Sequence, residues 1–256
     1  MDAARTLAHV VRSIESATER DDPFHHVELT DVFPGDLYAA MLETMPEAGA
    51  YRGMSGRAKS SRHGHREDVR TKLDLFPEWI RVLPREKRDV WDVVGHTLRS
   101  PQLRSALAQR LAPGLERRFG APYSHVGLYP VPTLTRDLPG YSIGIHPDTR
   151  WKGITVQLYL PRDRSIEHVG TIFHERDRDG QFREARRMPF APNTGYAFAV
   201  GDDTWHSLDR LGPEVSRRDS ILLTYFVDRT PFERLHNRAR RFGNLVRAGM
   251  RGSLGG

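Results

Sequence analysis

His146 and Asp148 stand two residues apart in the segment Tyr141-Ser-Ile-Gly-Ile-His-Pro-Asp148. On an extended chain, residues i and i+2 project from one face, so this imidazole and this carboxylate can reach a single ion. His206 is the candidate third ligand. It follows a strand-like run, Gly195 to Val200, and a tight Gly201-Asp-Asp turn. Two imidazoles and one carboxylate leave further positions on a metal open, which favours Fe(II) and oxygen chemistry over structural zinc, whose sites are closed and tetrahedral. The other histidines offer less. His174 is followed by Glu175-Arg176, a solvated-turn pattern, and His168 has no partner motif. The pairs His25-His26 and His63-x-His65 lack a carboxylate at matching spacing on regular structure.

Twelve residues beyond His206, Arg218-Asp-Ser220 opens a run rich in β-formers, Ile221 to Phe226. Strand alternation puts Arg218 and Ser220 on one face and Arg217 on the other. A guanidinium fork with a neighbouring hydroxyl is a natural clamp for a carboxylate. Gln157 and Tyr159 share a face with Thr155 and are candidate lining residues. Arg150 and Lys152 follow the metal motif closely and could meet an anionic substrate, with exposed turn cations as the plainer alternative. Trp151 and Trp205 flank the candidate ligands and could wall the site.

The order His146-x-Asp148, His206, Arg218-x-Ser220 resembles the metal and cosubstrate signature of the Fe(II)/2-oxoglutarate-dependent dioxygenase superfamily. Three intervening segments also look like that family's: Gly153-Ile-Thr-Val-Gln-Leu-Tyr-Leu-Pro161, Gly170-Thr-Ile-Phe173 and Pro192-Asn-Thr-Gly195. The likeness covers about Leu128 to Val227. It implies a double-stranded β-helix (a cupin-like jelly roll) with the site inside one open end. It further implies iron on His146, Asp148 and His206, and 2-oxoglutarate chelating that iron with its far carboxylate on Arg218 and Ser220. Reaction with O2 would then oxidise a substrate and release succinate and CO2. Related halogenases lack the carboxylate ligand, so Asp148 points to hydroxylation or another oxidative outcome. Two alternatives stay open: a metal cupin that does not use 2-oxoglutarate, and an inactive jelly-roll binding protein.

Around these residues the chain changes texture. Before residue 120 the apolar spacing is mostly helical: Leu7, Val10, Val11 and Ile14; then, after a short strand at Phe24 to Leu29, Leu37, Met41 and Leu42 behind Pro34; then Trp91, Val94 and Leu98; then Leu103, Leu107 and Leu111 behind a Ser100-Pro101 cap. After Pro122, short runs rich in Val, Ile, Thr, Tyr and Phe alternate with Pro/Gly/Asp breaks. They fall at His125 to Leu134, Tyr141 to His146, Ile154 to Leu160, Gly170 to Phe173, Thr194 to Val200 and Ser220 to Val227. Such punctuation predicts an antiparallel sandwich or barrel. The expected organisation is one compact domain, mainly β with helical additions. An N-terminal helical layer (1–120) precedes a jelly-roll core (121–228) and a C-terminal basic amphipathic helix (229–256). Residues 49–70, with glycines, serines and no apolar period, read as a long mobile loop. Its cations Arg57, Lys59 and Arg62 would suit a lid closing on an anionic substrate.

Bulk properties narrow the classes. With 38% hydrophobic and 28% charged residues the 256-residue chain is of ordinary globular composition. The absence of cysteine excludes disulfides, thiolate nucleophiles, Fe–S clusters and cysteine-held zinc. The net charge of +6 comes without a nucleic-acid motif or aromatic-basic interleaving. No apolar run approaches a membrane span and no apolar secretory core opens the chain. The expectation is a cytoplasmic enzyme with a small-molecule substrate and no nucleic-acid or membrane partner; a homodimer is compatible with these features.

Overall fold

The computed structural model describes residues 2–54, 59–62, 65–228, 230 and 235. In chain order, α1 (Ala3–Glu15) is capped by the Asp2 carboxylate, which accepts from the Ala4 and Arg5 amides. Strands β1 (Thr18–Arg20) and β2 (His26–Leu29) follow, then α2 (Gly35–Glu43), with Pro34 as its cap. Next come β3 (Arg52–Gly53), β4 (Lys59–Arg62), β5 (His65–Asp68) and β6 (Arg70–Asp74). The helical stretch divides into α3 (Pro77–Ile80), α4 (Arg85–Leu98), α5 (Pro101–Arg110) and α6 (Ala112–Phe119). Ser100 caps α5 by accepting from the Leu103 amide. Strands β7 (Leu128–Asp137), β8 (Ile143–His146), β9 (Lys152–Tyr159), β10 (Ile172–Arg176), β11 (Phe182–Arg187), β12 (Gly195–Ala199), β13 (His206–Leu208) and β14 (Arg218–Val227) follow.

Two antiparallel sheets form a jelly roll. The larger runs β1-β2-β12-β9-β14-β7-β6-β3 and the smaller β11-β10-β13-β8. Alternation decides what each face does. Ile154, Val156 and Leu158 of β9, and Ile221, Leu223 and Tyr225 of β14, join one apolar cluster with α1, α2, α4 and α5 residues such as Ile14, Met41, Trp91 and Leu107. The alternate face of the same sheet turns inward to a second, aromatic cluster of Phe24, Tyr159, Phe173, Phe190, Tyr196 and Phe198. One face of the large sheet therefore carries the helices, and the other forms the inside of the roll.

Two expectations are corrected. The N-terminal segment is more than a helical layer: the strand read at Phe24 to Leu29 pairs, as β2, with β12, and β6, which the sequence pattern does not predict, pairs with β7, so the segment supplies strands to the large sheet. Residues 49–70 are not a structureless loop either, because Lys59–Arg62 pairs with His65–Asp68 as an antiparallel hairpin, and β3 pairs with β6. Its polar residues mask the strand signal. Residues 55–58 and 63–64, Arg57 among them, lie outside the described residues, as does most of the C-terminal segment read as a basic helix. Among the described residues no helix is long and apolar enough to cross a membrane.

Candidate metal centre and the cavity behind it

Strand pairing brings the two histidines together. His206, which opens β13, lies opposite His146, which ends β8, and the ring centroids are 4.5 Å apart. Asp148 follows β8 by two residues. One donor atom from each of the three lies within 4.8 Å of the others, the one such group among the described residues. Each imidazole is oriented through its other nitrogen. His146 Nδ1 meets the Gly144 carbonyl at 2.8 Å and His206 Nδ1 meets the Thr204 carbonyl at 3.0 Å. A carbonyl only accepts, so both Nδ1 atoms carry the proton and both Nε2 lone pairs stay free for an ion.

Electrostatics favour the ligating protonation states. Burial pushes His206 down to about 4, helped by neighbouring His146 and opposed by the Asp148 charge. Its ring is neutral at neutral pH. Burial alone would raise Asp148, but the Lys152 ammonium, His206 and hydrogen bonds from Lys152 and Thr155 outweigh it and hold the carboxyl at about 2. Lys152 Nζ donates to Asp148 Oδ1 at 2.5 Å, and Thr155 Oγ1 donates to Oδ2 at 2.6 Å. Lys152, read as a candidate substrate contact, is thus spent on the metal motif. Arg150 sits apart from the three ligands, highly exposed and 3.3 Å from Asp202. A turn closed by the Lys152 amide and the Thr149 carbonyl breaks the alternation between them.

Behind the three ligands lies a cavity of about 120 Å³ lined by Arg70, Tyr141, Thr155, Gln157, Thr171, Tyr196 and Arg218 among others. Arg218 is buried, donating Nη1 to Asp137 Oδ2 at 3.0 Å and Nε to the Val169 carbonyl at 2.9 Å. Its guanidinium lies over the rings of Phe190 and Tyr159. Arg70 approaches the other oxygen of Asp137 at 3.3 Å and donates to the Tyr141 hydroxyl. Two guanidiniums against one fully buried carboxylate leave one net positive charge at the cavity wall.

Ser220 shares the inward face of β14 but does not line the cavity. Its hydroxyl is closed into hydrogen bonds with Gln157 Nε2 at 2.5 Å and Thr135 Oγ1 at 2.9 Å. Gln157 does line the cavity; Tyr159 lies behind it, with its hydroxyl 3.1 Å from Thr171 Oγ1. Arg217 points the other way, half-exposed, to Asp219. The rival His174 bonds Ser207 Oγ at 2.7 Å, and His168 is exposed. Trp205 borders an outer groove that shares Asp148 with the cavity, whereas Trp151 is 65% exposed and walls nothing. Lys59 and Arg62 belong to the β4–β5 hairpin, and only their backbone placement is described.

Sequence reasoning missed Arg70, Asp137 and Tyr141. Arg70 falls at the end of the segment read as a loop. The signal available was the alternation Thr133-x-Thr135-x-Asp137, a polar stripe on a strand too apolar on its other side to be exposed there.

No family description matches this chain, and no curated protein matches it. Solved structures do. The chain is similar to prolyl 4-hydroxylases from Phytophthora capsici at 14% identity, with 90% of this chain and 68% of that one covered and a TM-score of 0.50. A Pseudomonas putida prolyl-4-hydroxylase aligns at 16% identity over 86% of this chain and 98% of that one, with a TM-score of 0.48. A Burkholderia pseudomallei oxidoreductase of the 2OG-Fe(II) oxygenase family aligns at 13% identity over 88% and 91% respectively, with a TM-score of 0.47. At 14% identity the likeness to the Phytophthora capsici structure is one of fold.

Proposed function

We propose that the protein is an Fe(II)- and 2-oxoglutarate-dependent oxygenase, a hydroxylase-like oxidoreductase acting on a small molecule with O2 as co-reactant. The observation that carries this reading is the convergence of His146, Asp148 and His206 with both Nε2 lone pairs free and the carboxylate ionised. That donor set fits Fe(II): two neutral imidazoles and one anion, with further positions open. Bound there with 2-oxoglutarate and O2, iron supplies the oxidising power for substrate hydroxylation, with succinate and CO2 as co-products.

The chain's own residues do the rest. Gly144 and Thr204 hold the ring tautomers, while Lys152 and Thr155 orient Asp148. The surplus positive charge of the Arg70–Asp137–Arg218 group draws the far carboxylate of a small diacid to the cavity wall. Burial of that group keeps water from screening it.

A metal cupin that does not use 2-oxoglutarate is the second reading, because the Arg218 fork already faces Asp137. Arg70 weighs against it by restoring a free positive charge. Anaerobic titration separates the two. The oxygenase reading expects stoichiometric Fe(II), a metal-to-ligand absorption band that appears only with 2-oxoglutarate, and succinate on admitting O2. Iron bound with no spectral response to 2-oxoglutarate would select the cupin, and no iron at all would sink both.

A further inference from the structure

Outside the metal centre, between α6, the turn after β12 and the approach to β2, runs a groove of about 800 Å³ that shares Asp148 with the inner cavity. Its size is that of a site for a drug-sized molecule. Three of its features bear on a ligand. His25 lines it, is 5% exposed, and has no hydrogen-bond partner for either ring nitrogen among the described residues. Buried polar atoms normally have partners; both nitrogens are covered, so a polar group in the groove meets one of them once the ring turns toward it.

Arg176 also lines the groove and is exposed. Its guanidinium lies 5.6 Å from the centre of the Phe182 ring and 6.0 Å from that of Trp205, and Nε donates to the Gly180 carbonyl at 3.2 Å. No carboxylate stands within ion-pair distance of it among the described residues. Trp205 supplies an aromatic wall beside it. Of the other charges lining it, Arg118 donates to the carbonyls of Lys152, Val200 and Arg150, and the rest fall in pairs. Arg117 lies 3.5 Å from Asp203 and Arg150 3.3 Å from Asp202, exposed pairs of the kind that exchange readily with an incoming anion. Asp148 is matched by Lys152.

We propose that this groove is the substrate site and that it takes an aromatic or similarly flat organic anion. Arg176 receives the carboxylate or phosphate, Trp205 meets the flat face, and His25 hydrogen-bonds a polar substituent at the inner end. The assignment of this ligand as substrate rests on the metal-centre reading above, since Asp148 is the wall common to groove and cavity.

The test uses the full chain without metal and two probes, benzoate and phenyl phosphate, with phenol as the neutral control, followed by calorimetry. Saturable one-to-one binding of at least one acid, and none of phenol, is expected. Arg176→Gln should weaken it about tenfold, the worth of one charge-assisted hydrogen bond. His25→Phe, which keeps the ring, should weaken any probe carrying a polar substituent, with 3-hydroxybenzoate as the example, more than it weakens benzoate. Exposed Arg81→Gln is the control for general charge. Neither acid binding, phenol binding as well as the acids, or indifference to Arg176→Gln would overturn the groove assignment. The anaerobic Fe(II)/2-oxoglutarate spectrum of the wild-type chain separates the two readings. A 2-oxoglutarate-dependent band with no binding of either acid condemns the groove alone, and binding of an acid without that band condemns the oxygenase alone.

Discussion

At the scale of single residues, Asp148 is the anionic member of the proposed ligand set, and its orientation depends on Thr155 and Lys152. Asp148→Ala should abolish stoichiometric Fe(II) binding, read by metal analysis after desalting. Thr155→Val keeps the shape but removes one orienting hydrogen bond, which should lower metal affinity by roughly 10- to 100-fold; an unchanged affinity would mean Lys152 orients the carboxylate alone. For the cosubstrate, Arg218→Ala should weaken 2-oxoglutarate by about 2–5 kcal/mol and leave iron in place, while Arg217→Ala, directed at Asp219, should do little. Much of this was legible in the sequence because it rests on local geometry. The i, i+2 relation ties His146 to Asp148, and alternation sorts Arg218 from Arg217. Arg70 and Asp137 were not legible as a pair, since they meet only through the β6–β7 ladder, 67 positions apart in the chain by their own numbers. Lys152 and Arg150 were read together and part company because a turn, which alternation rules do not cover, lies between them.

At the scale of elements, the strands recovered from the sequence are those with apolar residues on a buried face, β9 and β14 against the helices and β8 and β10 against the inner cluster. Those missed carry one large apolar residue at most. β11, Phe-Arg-Glu-Ala-Arg-Arg, is mostly exposed and held by backbone pairing to β10; β13 is three residues long; and β4 and β5 are polar throughout. Binding the N-terminal segment to the roll depends on a turn, Pro192-Asn-Thr-Gly195. Asn193 adopts φ 55°, its side chain accepts from the Phe33 amide at 2.9 Å and donates to the Phe33 carbonyl at 2.8 Å, and its own carbonyl accepts from Val32. Asn193→Ala loses both side-chain bonds to Phe33 and a third, exposed one from Nδ2 to Asp31 Oδ1 at 3.2 Å, and meets the left-handed penalty, together about 2–4 kcal/mol. Asn193→Gly loses the bonds but not the conformation and should cost less. Urea unfolding of the pair measures the difference, and equal losses would show that the hydrogen bonds alone secure this junction.

At the scale of the whole molecule, the division into two apolar clusters has a consequence for acid stability. The inner, aromatic cluster that frames the site also holds imidazoles. His26 is buried edge-on to Phe173, with ring centroids 4.9 Å apart, its Nδ1 meeting the Phe24 carbonyl at 2.8 Å; burial lowers its pKa, against the opposing pull of Glu28. Burial likewise lowers His174 and takes His206 to about 4. In the unfolded chain each would titrate near 6.5. Between that value and the lower folded ones the unfolded state binds more protons, so acid favours unfolding. The stability these neutral rings permit is therefore complete above about pH 6.5 and is lost as pH falls through the folded values. Asp148, held at about 2 against about 3.9 when unfolded, joins the loss only as pH falls below about 5. The metal-free protein should show a Tm that is flat from neutral to mildly alkaline pH and declines below about 6.5. His26→Phe keeps the aromatic packing, removes one of the three protonation sites and should make the decline shallower. Fe(II) should raise Tm most at neutral pH and progressively less in acid, because protons and metal compete for the same Nε2 atoms. A Tm independent of pH between neutrality and pH 5, in wild type and variant alike, would mean that these rings are protonated in the folded state and that the inner cluster is far more open to water than its burial implies.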